Sequence, residues 1–387
     1  MRVLHVLEAT IGGTKRHLLD LAPGLRSRGI DVEVACPRVR DQHHGDTSFW
    51  DDLALAGIPT HEVAMTRRPL TAANAAALGR LASLMRRGAY DVVHAQSSVA
   101  GALGRLAARL VHPRPRVVYS PHGFAFLGNE WGTGPRRAAF LGLERALAPL
   151  ADRLICVSSA EADDAVRHGV APRHKVSVIP NGVVSAGFAA DRGSIADMVP
   201  DLAPWRGLPI VGTLARMTPQ KDPLVWLEVA SRLRAAAPNA RFVWIWGGGA
   251  LEPDVYETAD RLGLRGVLRF LGYREDARAV LGGLDIFLLT SRFEGLPYAV
   301  IEALAAGTPV VATDVSGTRD VVRHERTGYL APPGDAGALA AYVLRLLGDP
   351  DLRRRLGAAG RADVLERFSI ERMVDQTAAL YATLLGR

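Results

Sequence analysis

The chain has 387 residues, of which 48% are hydrophobic and 22% are charged. At about 150 residues per domain, this length predicts two domains, and the composition excludes a disordered or fibrous protein. The net charge of +7 arises entirely in residues 1–185, where 23 basic side chains accompany 16 acidic ones, whereas residues 186–387 hold 24 of each. A basic first half favours a partner that carries phosphate, an anionic lipid surface or nucleic acid. An arginine-rich genome would give the same excess, since 44 of the 47 basic residues are arginine.

The sequence gives no sign of export or membrane insertion. The apolar run at the N-terminus is too short for a signal peptide, and no stretch reaches the roughly 18 uncharged apolar residues of a spanning helix. Cys36 and Cys156 each end an apolar run, which favours buried thiols over a disulfide or a metal site. We therefore expect a cytoplasmic protein in a reducing compartment.

Short β-branched runs alternate with longer helical stretches, which predicts βαβ units and parallel sheets. In the first half the predicted strands are Val3–Leu7, Asp31–Pro37, Asp91–Gln96, Val117–Pro121, Leu154–Ser158 and Val176–Pro180. In the second half they are Ile210–Leu214, Arg241–Trp246, Leu268–Leu271, Asp285–Thr290 and Val310–Asp314. Two further helices are predicted at Leu352–Glu366 and Ile370–Leu385.

Between the two series lies a segment rich in Gly, Pro, Ala and Asp with no clear period. We therefore expect an N-terminal Rossmann-like domain over residues 1–185, a linker over 186–207 and a second Rossmann-like domain over 208–369. The predicted fold class is α/β, with two parallel sheets that face a central cleft.

The first strand runs into a glycine turn, Gly12-Gly13, ahead of a helix predicted at Arg16–Leu25. Glycines there would let a ligand approach the N–H groups at the positive end of the helix. The turn lacks the Gly-x-Gly-x-x-Gly pattern of dinucleotide sites, and a tight turn that needs positive φ explains the glycines equally well.

A histidine follows another strand of the first half, in the run Ser120-Pro121-His122-Gly123. Open α/β sheets bind ligands at the carboxyl edge, so His122 is a candidate ligand contact. A lone histidine in such a turn is as readily structural.

Two cations follow the first strand of the second half. Arg216 and Lys221 flank a strand-to-helix turn at the carboxyl edge, where they could hold a diphosphate, Arg216 by its planar fork and Lys221 as a point charge. The chain contains only three lysines, so Lys221 is less readily explained as an ordinary surface residue. A solvated loop is the alternative interpretation.

The next two strand ends carry glycine and aromatic residues. Gly248 lies in the run Trp246-Gly247-Gly248-Gly249, which permits a close backbone approach. Tyr273 and Arg274 could stack on or hydrogen-bond a nucleobase, although a polar turn with a half-buried tyrosine is a simpler explanation of that loop alone.

The most informative stretch runs from Ser291 to Gly307. Glu294 precedes a helix that Pro297 and Gly307 delimit, and Glu302 lies inside that otherwise apolar helix. A buried carboxylate needs hydrogen-bonding partners, and sugar or ribose hydroxyls would serve. The N–H groups at the helix start, near Leu296 and Tyr298, could bind a phosphate, and Gly295 and Leu296 are candidate binding residues. The alternatives are a buried salt bridge for Glu302 and a favourable helix-start anion for Glu294.

The sequence lacks the motifs of several other classes of enzyme and binding site. The chain lacks a Gly-x-Ser-x-Gly elbow, a His-Glu-x-x-His pair, a CxxC pair and a P-loop. Asp349-Pro350-Asp351 resembles a metal-binding Asp-x-Asp, but its place between two late helices favours helix capping. We expect no metal ion and no cofactor.

In these motifs the sequence resembles the retaining glycosyltransferases of family 4, which have the GT-B fold, and the resemblance covers essentially the whole chain. The most specific part is the pair Glu294 and Glu302, separated by seven residues and followed by Ala306–Val310, Gly317 and Gly328. The other motifs that this sequence shares with the family are Arg216 with Lys221, Gly12-Gly13 and His122-Gly123.

The resemblance implies a role for each motif residue in binding a nucleotide-sugar. Arg216 and Lys221 would hold its diphosphate, Glu294 the hydroxyls of the donor sugar and Glu302 the ribose. His122 would reach the donor sugar from the first domain, so that Glu294 and His122 are the expected catalytic residues.

The resemblance further implies that Gly13 lies under the phosphate or the acceptor and that a returning helix over residues 370–387 packs on the first domain. It implies retention without a metal, in which the leaving phosphate takes the proton of the acceptor hydroxyl. UDP is the expected donor nucleotide. The acceptor would be a glycan, a lipid-linked sugar or a small molecule in polysaccharide or cell-envelope biosynthesis.

Two other classes of function are compatible with parts of the sequence. A nucleotide-sugar epimerase or a sugar phosphorylase could share the GT-B fold, although the Glu294 and Glu302 pattern disfavours both. A non-catalytic sugar-nucleotide sensor or a nucleic-acid binder is the third possibility, but no nucleic-acid recognition motif is present, and we expect no nucleic-acid partner.

The basic first half also fits peripheral contact with the inner face of an anionic membrane. The residues that would make this contact lie between Phe124 and Leu147 and are Phe126, Trp131, Arg136, Arg137 and Phe140. An ordinary packed helix beside the cleft is the alternative.

Overall fold

The computed structural model describes residues 1–39, 47–68, 70–127, 134–183, 193–274 and 276–387. The chain divides into two compact units. Unit 1 comprises Met1–Gly182 together with Ile370–Arg387, and unit 2 comprises Val183–Ser369.

Within its described residues, unit 1 forms a seven-stranded parallel sheet in the order β3-β2-β1-β4-β5-β6-β7. Its strands are β1 (Arg2–Leu7), β2 (Asp31–Cys36), β3 (Thr60–Glu62), β4 (Val92–Gln96), β5 (Arg116–Ser120), β6 (Arg153–Cys156) and β7 (Val176–Val178). Its helices are α1 (Gly12–Ser27), α2 (Ser48–Leu55), α3 (Ala72–Gly88), α4 (Ser98–Arg109), α5 (Pro135–Leu147), α6 (Ser159–Arg167) and α15 (Ile370–Leu384), with short 3₁₀ turns at Ala125–Leu127, Ala148–Leu150 and Arg173–Lys175.

Unit 2 forms a six-stranded parallel sheet among its described residues, in the order β10-β9-β8-β11-β12-β13. Its strands are β8 (Ile210–Leu214), β9 (Arg241–Ile245), β10 (Leu268–Gly272), β11 (Ile286–Leu289), β12 (Val310–Thr313) and β13 (Gly328–Ala331). Its helices are α7 (Ile195–Met198), α8 (Pro223–Ala236), α9 (Glu252–Arg261), α10 (Ala277–Leu281), α11 (Tyr298–Ala305), α12 (Ser316–Val321), α13 (Ala336–Gly348) and α14 (Pro350–Arg367), with a 3₁₀ turn at Pro200–Trp205.

Helices cover both faces of each sheet, so the central strands are buried apolar runs. All five residues of β4 are buried, as are the last five of β1. In unit 2 the indole of Trp226 on α8 meets that of Trp244 on β9 edge-on, with ring centroids 5.2 Å apart. The Trp244 Nε1–H donates to the carbonyl of Ala215 at 2.8 Å, which fixes the start of the loop after β8.

The strand order reverses direction once in each sheet, between β1 and β4 in unit 1 and between β8 and β11 in unit 2. Loops from neighbouring strands leave in opposite directions at such a point and open a crevice at the carboxyl edge, where α/β proteins bind ligands. The fold thus makes the loops after these four strands the candidate ligand contacts.

The last helix of the chain, α15, packs on α1 of unit 1. Met373, Val374 and Tyr381 join the buried cluster that contains Leu18 and Leu21 of α1. The helices approach closely at Gly24, where an added Cβ would lie 2.5 Å from Cγ2 of Val374.

Every strand predicted from the sequence is present, with ends that differ by at most two residues. The sequence missed β3 and β13, which are short strands at sheet edges. The helix predicted at Arg16 begins at Gly12 instead, because the positive φ of Gly12 (72°) lets the chain enter the helix directly from extended Ile11. Gly12 and Gly13 therefore lie in the first turn of α1, not in a turn that precedes it.

Three further predictions can be compared with the structure. Asp349 does cap a helix, since its carboxylate accepts the Leu352 N–H at 2.9 Å. Of the predicted linker, residues 186–192 lie outside the described part, and residues 195–205 form α7 and a 3₁₀ turn of unit 2, where Leu202 and Trp205 are buried. The expectation that Phe126 lies at a membrane surface is wrong, because a 3₁₀ turn buries its ring against Phe124, with centroids 5.0 Å apart.

In the part of the chain that the structure describes, no helix combines the length and apolarity needed to cross a bilayer.

Substituting Gly24 tests the packing of α15. Gly24→Ala should lower the free energy of unfolding by about 1–2 kcal/mol, because the new methyl group displaces Val374, and this overpacking outweighs the gain in helix propensity. Gly79 of α3 is the matched control, since an added Cβ there has no neighbour within 4 Å. Gly79→Ala should raise the free energy of unfolding by up to about 1 kcal/mol. Urea unfolding measures both, and equal stabilisation by the two variants would contradict the close approach.

Candidate active site

In unit 2 a lysine and a glutamate meet at the point where the strand order reverses. Lys221, after β8, and Glu294, after β11, form an ion pair with 2.5 Å between Nζ and Oε1. The Ser291 hydroxyl donates to the same oxygen at 2.6 Å. Both bonds use Oε1. They hold the Glu294 side chain, which is 6% exposed, in place. A carboxylate has about four lone-pair sites on its two oxygens, so Glu294 can accept further hydrogen bonds.

The two loops that carry this pair are tied together. Asp222 is buried, adopts a left-handed conformation with φ of 47°, and pairs with Arg292, whose Nε lies 2.7 Å from its Oδ2. The Thr290 hydroxyl is 2.9 Å from the carbonyl of Lys221 and 3.0 Å from that of Asp222. These bonds hold Lys221 in place. Sequence reasoning missed all three residues, although Asp222 immediately before a helix-starting proline is a typical capping position.

Glu302 lies on α11, the helix that follows the Glu294 loop. It is buried among the apolar residues of that helix, as predicted. The turn at Gly295-Leu296 leads into α11 and contacts the start of α12. An added Cβ at Gly317 would lie 2.5 Å from the Gly295 carbonyl oxygen, so the glycine is required for this approach. Arg216 lies half-buried in the loop after β8, on the same edge of the sheet.

The loops after β8 and β9 are also hydrogen-bonded to each other. The Met217 N–H donates to the Gly248 carbonyl at 2.9 Å. Gly248 and Gly249 both have positive φ, and an added Cβ at Gly249 would lie 2.3 Å from the Met217 carbonyl oxygen. The close approach at Gly249 is therefore one of protein backbone, which shapes the edge of the site. An added Cβ at Gly248 would have no neighbour within 4 Å, and a ligand approach at Gly248 stays a prediction.

An aromatic pair lies beside this loop. Trp246 has φ of 80°, which is unusual for a bulky residue, and its N–H donates to the Gly272 carbonyl at 2.7 Å. Its ring meets that of Tyr273 edge-on with centroids 4.9 Å apart, and Tyr273 is 62% exposed. Arg274 forms a two-bond pair with Asp276, both bonds at 2.8 Å, so its guanidinium is already engaged. The strained Trp246, which sequence reasoning missed, makes the aromatic pair the better candidate for a nucleobase contact.

In unit 1, α1 starts at the point where the strand order reverses. Ile11 at its N-cap provides no side-chain hydrogen bond, and the first turn, which contains Gly12 and Gly13, holds no acidic residue. The N–H groups of this turn therefore form a positive helix terminus, and no carboxylate in the first turn of the helix neutralises it.

His122 lies at the same edge of unit 1, after β5. Its Nε2 is 3.2 Å from Oε1 of Gln96, and the amide Nε2 of Gln96 is 2.8 Å from Nδ1 of His5. Because the amide oxygen only accepts, His122 donates from Nε2, and its Nδ1 carries a lone pair. The ring of His17 meets the His122 ring edge-on with centroids 4.6 Å apart. Gln96 and His17, which the sequence did not single out, thus set the orientation of His122.

Burial keeps the imidazoles of this cluster neutral. Desolvation lowers the pKa of His5 to about 3 and that of His17 to about 4. It lowers the pKa of His94 and His122 well below 6.5, and repulsion from neighbouring histidines adds to the shift. At neutral pH His122 therefore acts as a hydrogen-bonding group and not as a cation.

The described residues contain no group of three or more His, Cys, Asp or Glu side chains that could hold a metal ion. The expectation that the protein needs neither a metal ion nor a cofactor stays a prediction.

Two family models match this chain. The model described as Glycosyltransferase Family 4 covers residues 11–186, and the model described as Glycosyl transferases group 1 covers residues 201–363. A D-inositol 3-phosphate glycosyltransferase from Streptomyces bingchenggensis is 30% identical, over 96% of this chain and 84% of the relative. The chain belongs to glycosyltransferase family 4. It is a glycosyltransferase, as the resemblance in its motifs indicated.

Other relatives of this glycosyltransferase span its whole length. The UDP-Gal:alpha-D-GlcNAc-diphosphoundecaprenol alpha-1,3-galactosyltransferase of Escherichia coli is 28% identical over 100% of this chain and 97% of the relative. A HepE protein from Anabaena, solved with UDP-glucose, has a TM-score of 0.83 at 22% identity over 99% of this chain and 100% of its own. Sucrose-phosphate synthase from Thermosynechococcus elongatus has a TM-score of 0.84 at 22% identity over 100% and 99%. These likenesses show the GT-B fold and confirm the predicted fold class.

The histidine cluster predicts how the stability of this glycosyltransferase depends on pH. Unfolding restores the ordinary pKa of 6.5 to His5, His17, His94 and His122, so the unfolded chain binds more protons below that pH. The free energy of unfolding should fall as the pH drops through 6.5, by up to about 1.4 kcal/mol per pH unit for each histidine. Glu161, whose pKa burial raises from 4.5 to about 7, binds its proton more tightly when folded and offsets one of the four.

Urea unfolding at several pH values between 7.5 and 5 measures this slope. His17→Gln should reduce the slope by about one proton, since it removes one of the four groups. A free energy of unfolding that stays constant between pH 6.5 and 5 would contradict the neutral cluster.

Proposed function

We propose that this glycosyltransferase moves a sugar from a UDP-sugar to a hydroxyl group of a glycan or lipid-linked acceptor that carries phosphate. The reaction retains the anomeric configuration and needs no metal ion. The observation that carries the proposal is the half-buried ion pair of Lys221 and Glu294 at the reversal point of the unit 2 sheet. It combines a cation for a diphosphate with a carboxylate for sugar hydroxyls.

Lys221 and Arg216 bind the diphosphate of the donor in this proposal. Both follow β8, and the N–H groups at the start of α11, after Gly295 and Leu296, add partial positive charge. Negative charge develops on the diphosphate as the sugar leaves, and cations already held in place stabilise that charge without reorganisation. They do the work for which other enzymes use a divalent metal.

Three residues orient the rest of the donor. Glu294 accepts hydrogen bonds from the sugar hydroxyls at Oε2, and Glu302 accepts them from the ribose. His122 is the third residue, and its lone pair at Nδ1 accepts a hydrogen bond from the sugar, because Gln96 engages its Nε2 proton. Binding by hydrogen bonds to several hydroxyls holds the anomeric carbon in a reactive orientation.

The transfer exchanges one bond at the anomeric carbon for another on the same face. The bond from that carbon to the phosphate oxygen breaks, and the acceptor hydroxyl oxygen forms the new bond. The hydroxyl proton passes to the departing phosphate oxygen, so the diphosphate is both leaving group and base. Donor and acceptor supply all the atoms and electrons.

A uracil base is supported by two lines of reasoning. Tyr273 presents an exposed ring beside Trp246, and stacking on aromatic rings is a general mode of base binding. The names of the E. coli relative and of the Anabaena structure both contain UDP.

A phosphate-bearing acceptor is supported by charge. The excess of +7 lies within residues 1–185, and the names of two relatives specify acceptors with phosphate, a diphosphoundecaprenol in one and an inositol 3-phosphate in the other. A long lipid on such an acceptor would bring the enzyme to a membrane. Phe126 is buried, Phe140 is half-buried and Trp131 lies outside the described residues, but α5 exposes Arg136, Arg137 and Leu143.

Calorimetric titration with UDP-glucose, UDP and pyrophosphate separates the donor contacts. Lys221→Met should weaken all three ligands at least tenfold, since each loses a bond to a charged group. Glu294→Gln should weaken UDP-glucose and leave UDP unchanged or tighter, because only the sugar increment is lost. Tyr273→Ala should weaken UDP-glucose and UDP about fivefold or more and leave pyrophosphate unchanged, since it removes a stacking contact.

Arg232→Met is the matched control for Lys221→Met. Arg232 is an exposed cation on α8 whose partner is Glu228, at 2.7 Å. Wild-type affinities in Arg232→Met are expected. If Lys221→Met also keeps all three, or if the wild type binds no uridine nucleotide, the donor site is assigned wrongly.

Vesicle sedimentation tests the membrane contact. The wild type should bind phosphatidylglycerol vesicles and not phosphatidylcholine vesicles, and Arg136→Glu with Arg137→Glu should weaken binding at least tenfold, because each basic residue contributes about 1 kcal/mol at an anionic surface. Arg232→Glu with Arg234→Glu on α8 of unit 2 controls for the change in net charge, since both arginines are exposed. Equal recovery of all proteins with the anionic vesicles would exclude α5 as the contact.

A further inference from the structure

The turn that carries His122 is strained. His122 has φ of 54° and Gly123 has φ of 99°, so two consecutive residues occupy the left-handed region. For a residue other than glycine this conformation costs about 1–3 kcal/mol unless its surroundings impose it. The orientation of the His122 ring therefore depends on what holds the turn.

A buried carboxylate holds it. Glu161, in the first turn of α6, accepts the Gly123 N–H at Oε1 with a distance of 2.5 Å and the Val157 N–H at Oε2 with a distance of 2.7 Å. Gly123 follows β5 and Val157 follows β6, and these two strands are neighbours in the sheet. One carboxylate thus joins the ends of two adjacent strands.

This arrangement departs from ordinary helix capping. Ser158 caps α6 by accepting the Glu161 N–H at 3.1 Å, and in a capping box the glutamate would return to the N–H of Ser158. Glu161 instead binds outside its helix, to the turn after β5. Helix capping alone therefore does not account for this carboxylate.

Backbone N–H groups are what stabilise the charge of Glu161. Its side chain is buried, and no cation pairs with it among the described residues. Burial raises its pKa to about 7, the two N–H bonds oppose that shift, and Asp164 on α6 adds to it. The other titratable groups that interact with Glu161 are Tyr119 on β5 and Cys156 on β6, and burial raises the pKa of both.

We propose that Glu161 is a positioning residue for the transfer reaction. By holding the Gly123 N–H it keeps His122 in the left-handed conformation, in which Gln96 engages Nε2 and the lone pair of Nδ1 is available to a sugar hydroxyl. The inference rests on the proposed role of His122. Glu161 touches no substrate and acts through the turn.

A double-mutant cycle tests whether Glu161 acts through His122. The variants are Glu161→Gln, His122→Ala and the double variant, and the readout is UDP release from UDP-glucose and from UDP-galactose in the presence of a diphosphoundecaprenol-linked acceptor. Glu161→Gln has the shape of the wild type but presents an amide N–H₂ to one of the two N–H donors, so one bond is lost. We expect kcat to fall about tenfold in Glu161→Gln, with the Kd for UDP unchanged, and less than twofold further loss when Glu161→Gln is added to His122→Ala.

Glu144→Gln is the matched control. Glu144 is a buried carboxylate of the same unit, paired with Arg105 at 2.8 Å and with the Tyr119 hydroxyl at 2.7 Å, and neither partner belongs to the turn. It should lower the melting temperature and leave kcat unchanged. Should Glu161→Gln fold poorly, Glu161→Asp replaces it with the same expectation, because the shorter side chain cannot reach both N–H groups.

Equal loss of kcat on adding Glu161→Gln to the wild type and to His122→Ala would overturn the proposal, since the carboxylate would then act independently of His122. An unchanged kcat in Glu161→Gln, or in His122→Ala, would overturn it as well. Failure of the wild type to bind UDP or to release it from either sugar nucleotide marks a different failure, that of the proposed function itself.

Discussion

The pairing of Lys221 with Glu294 is the constraint on which the site in unit 2 depends. Their side chains are 18% and 6% exposed, so either charge alone would be poorly hydrated, and together they compensate each other only if their separation is fixed. Asp222 with Arg292, and the Thr290 hydroxyl, supply that rigidity by joining the loops after β8 and β11. In the proposed reaction, a diphosphate competes with Glu294 for the ammonium group, which adds hydrogen-bonding capacity to the carboxylate as the donor binds.

Unit 1 is built on the opposite electrostatic principle. Strands β1 and β4, helix α1 and the turn after β5 bring together four histidines that desolvation holds neutral, so that their contacts are hydrogen bonds with a defined direction. Gln96 selects the tautomer of His122, and Glu161 holds the backbone beside it. Such a network discriminates by geometry, which suits the recognition of hydroxyl groups, whereas the ion pair in unit 2 suits a diphosphate.

Sequence patterns predicted the central strands because buried parallel strands are uninterrupted apolar runs. They missed β3 and β13, which are short and lie at sheet edges. The burial of Glu302 was predictable because a carboxylate inside an apolar helix is locally anomalous, and the position of Glu294 before that helix followed from Pro297 and Gly307. Asp222, Gln96 and Glu161 were not, since each is an ordinary polar residue whose partner lies 70, 26 or 38 positions away along the chain, and only the folded sheet joins them.

The most direct test of the account is proton NMR of the product formed from a UDP-sugar and a diphosphoundecaprenol-linked acceptor. The anomeric coupling constant of the transferred sugar reports its configuration, and release of UDP reports turnover. We predict a new glycosidic bond with the same anomeric configuration as the donor, formed in the presence of a chelator. An inverted product, free sugar as the only product, or activity that the chelator abolishes would contradict it.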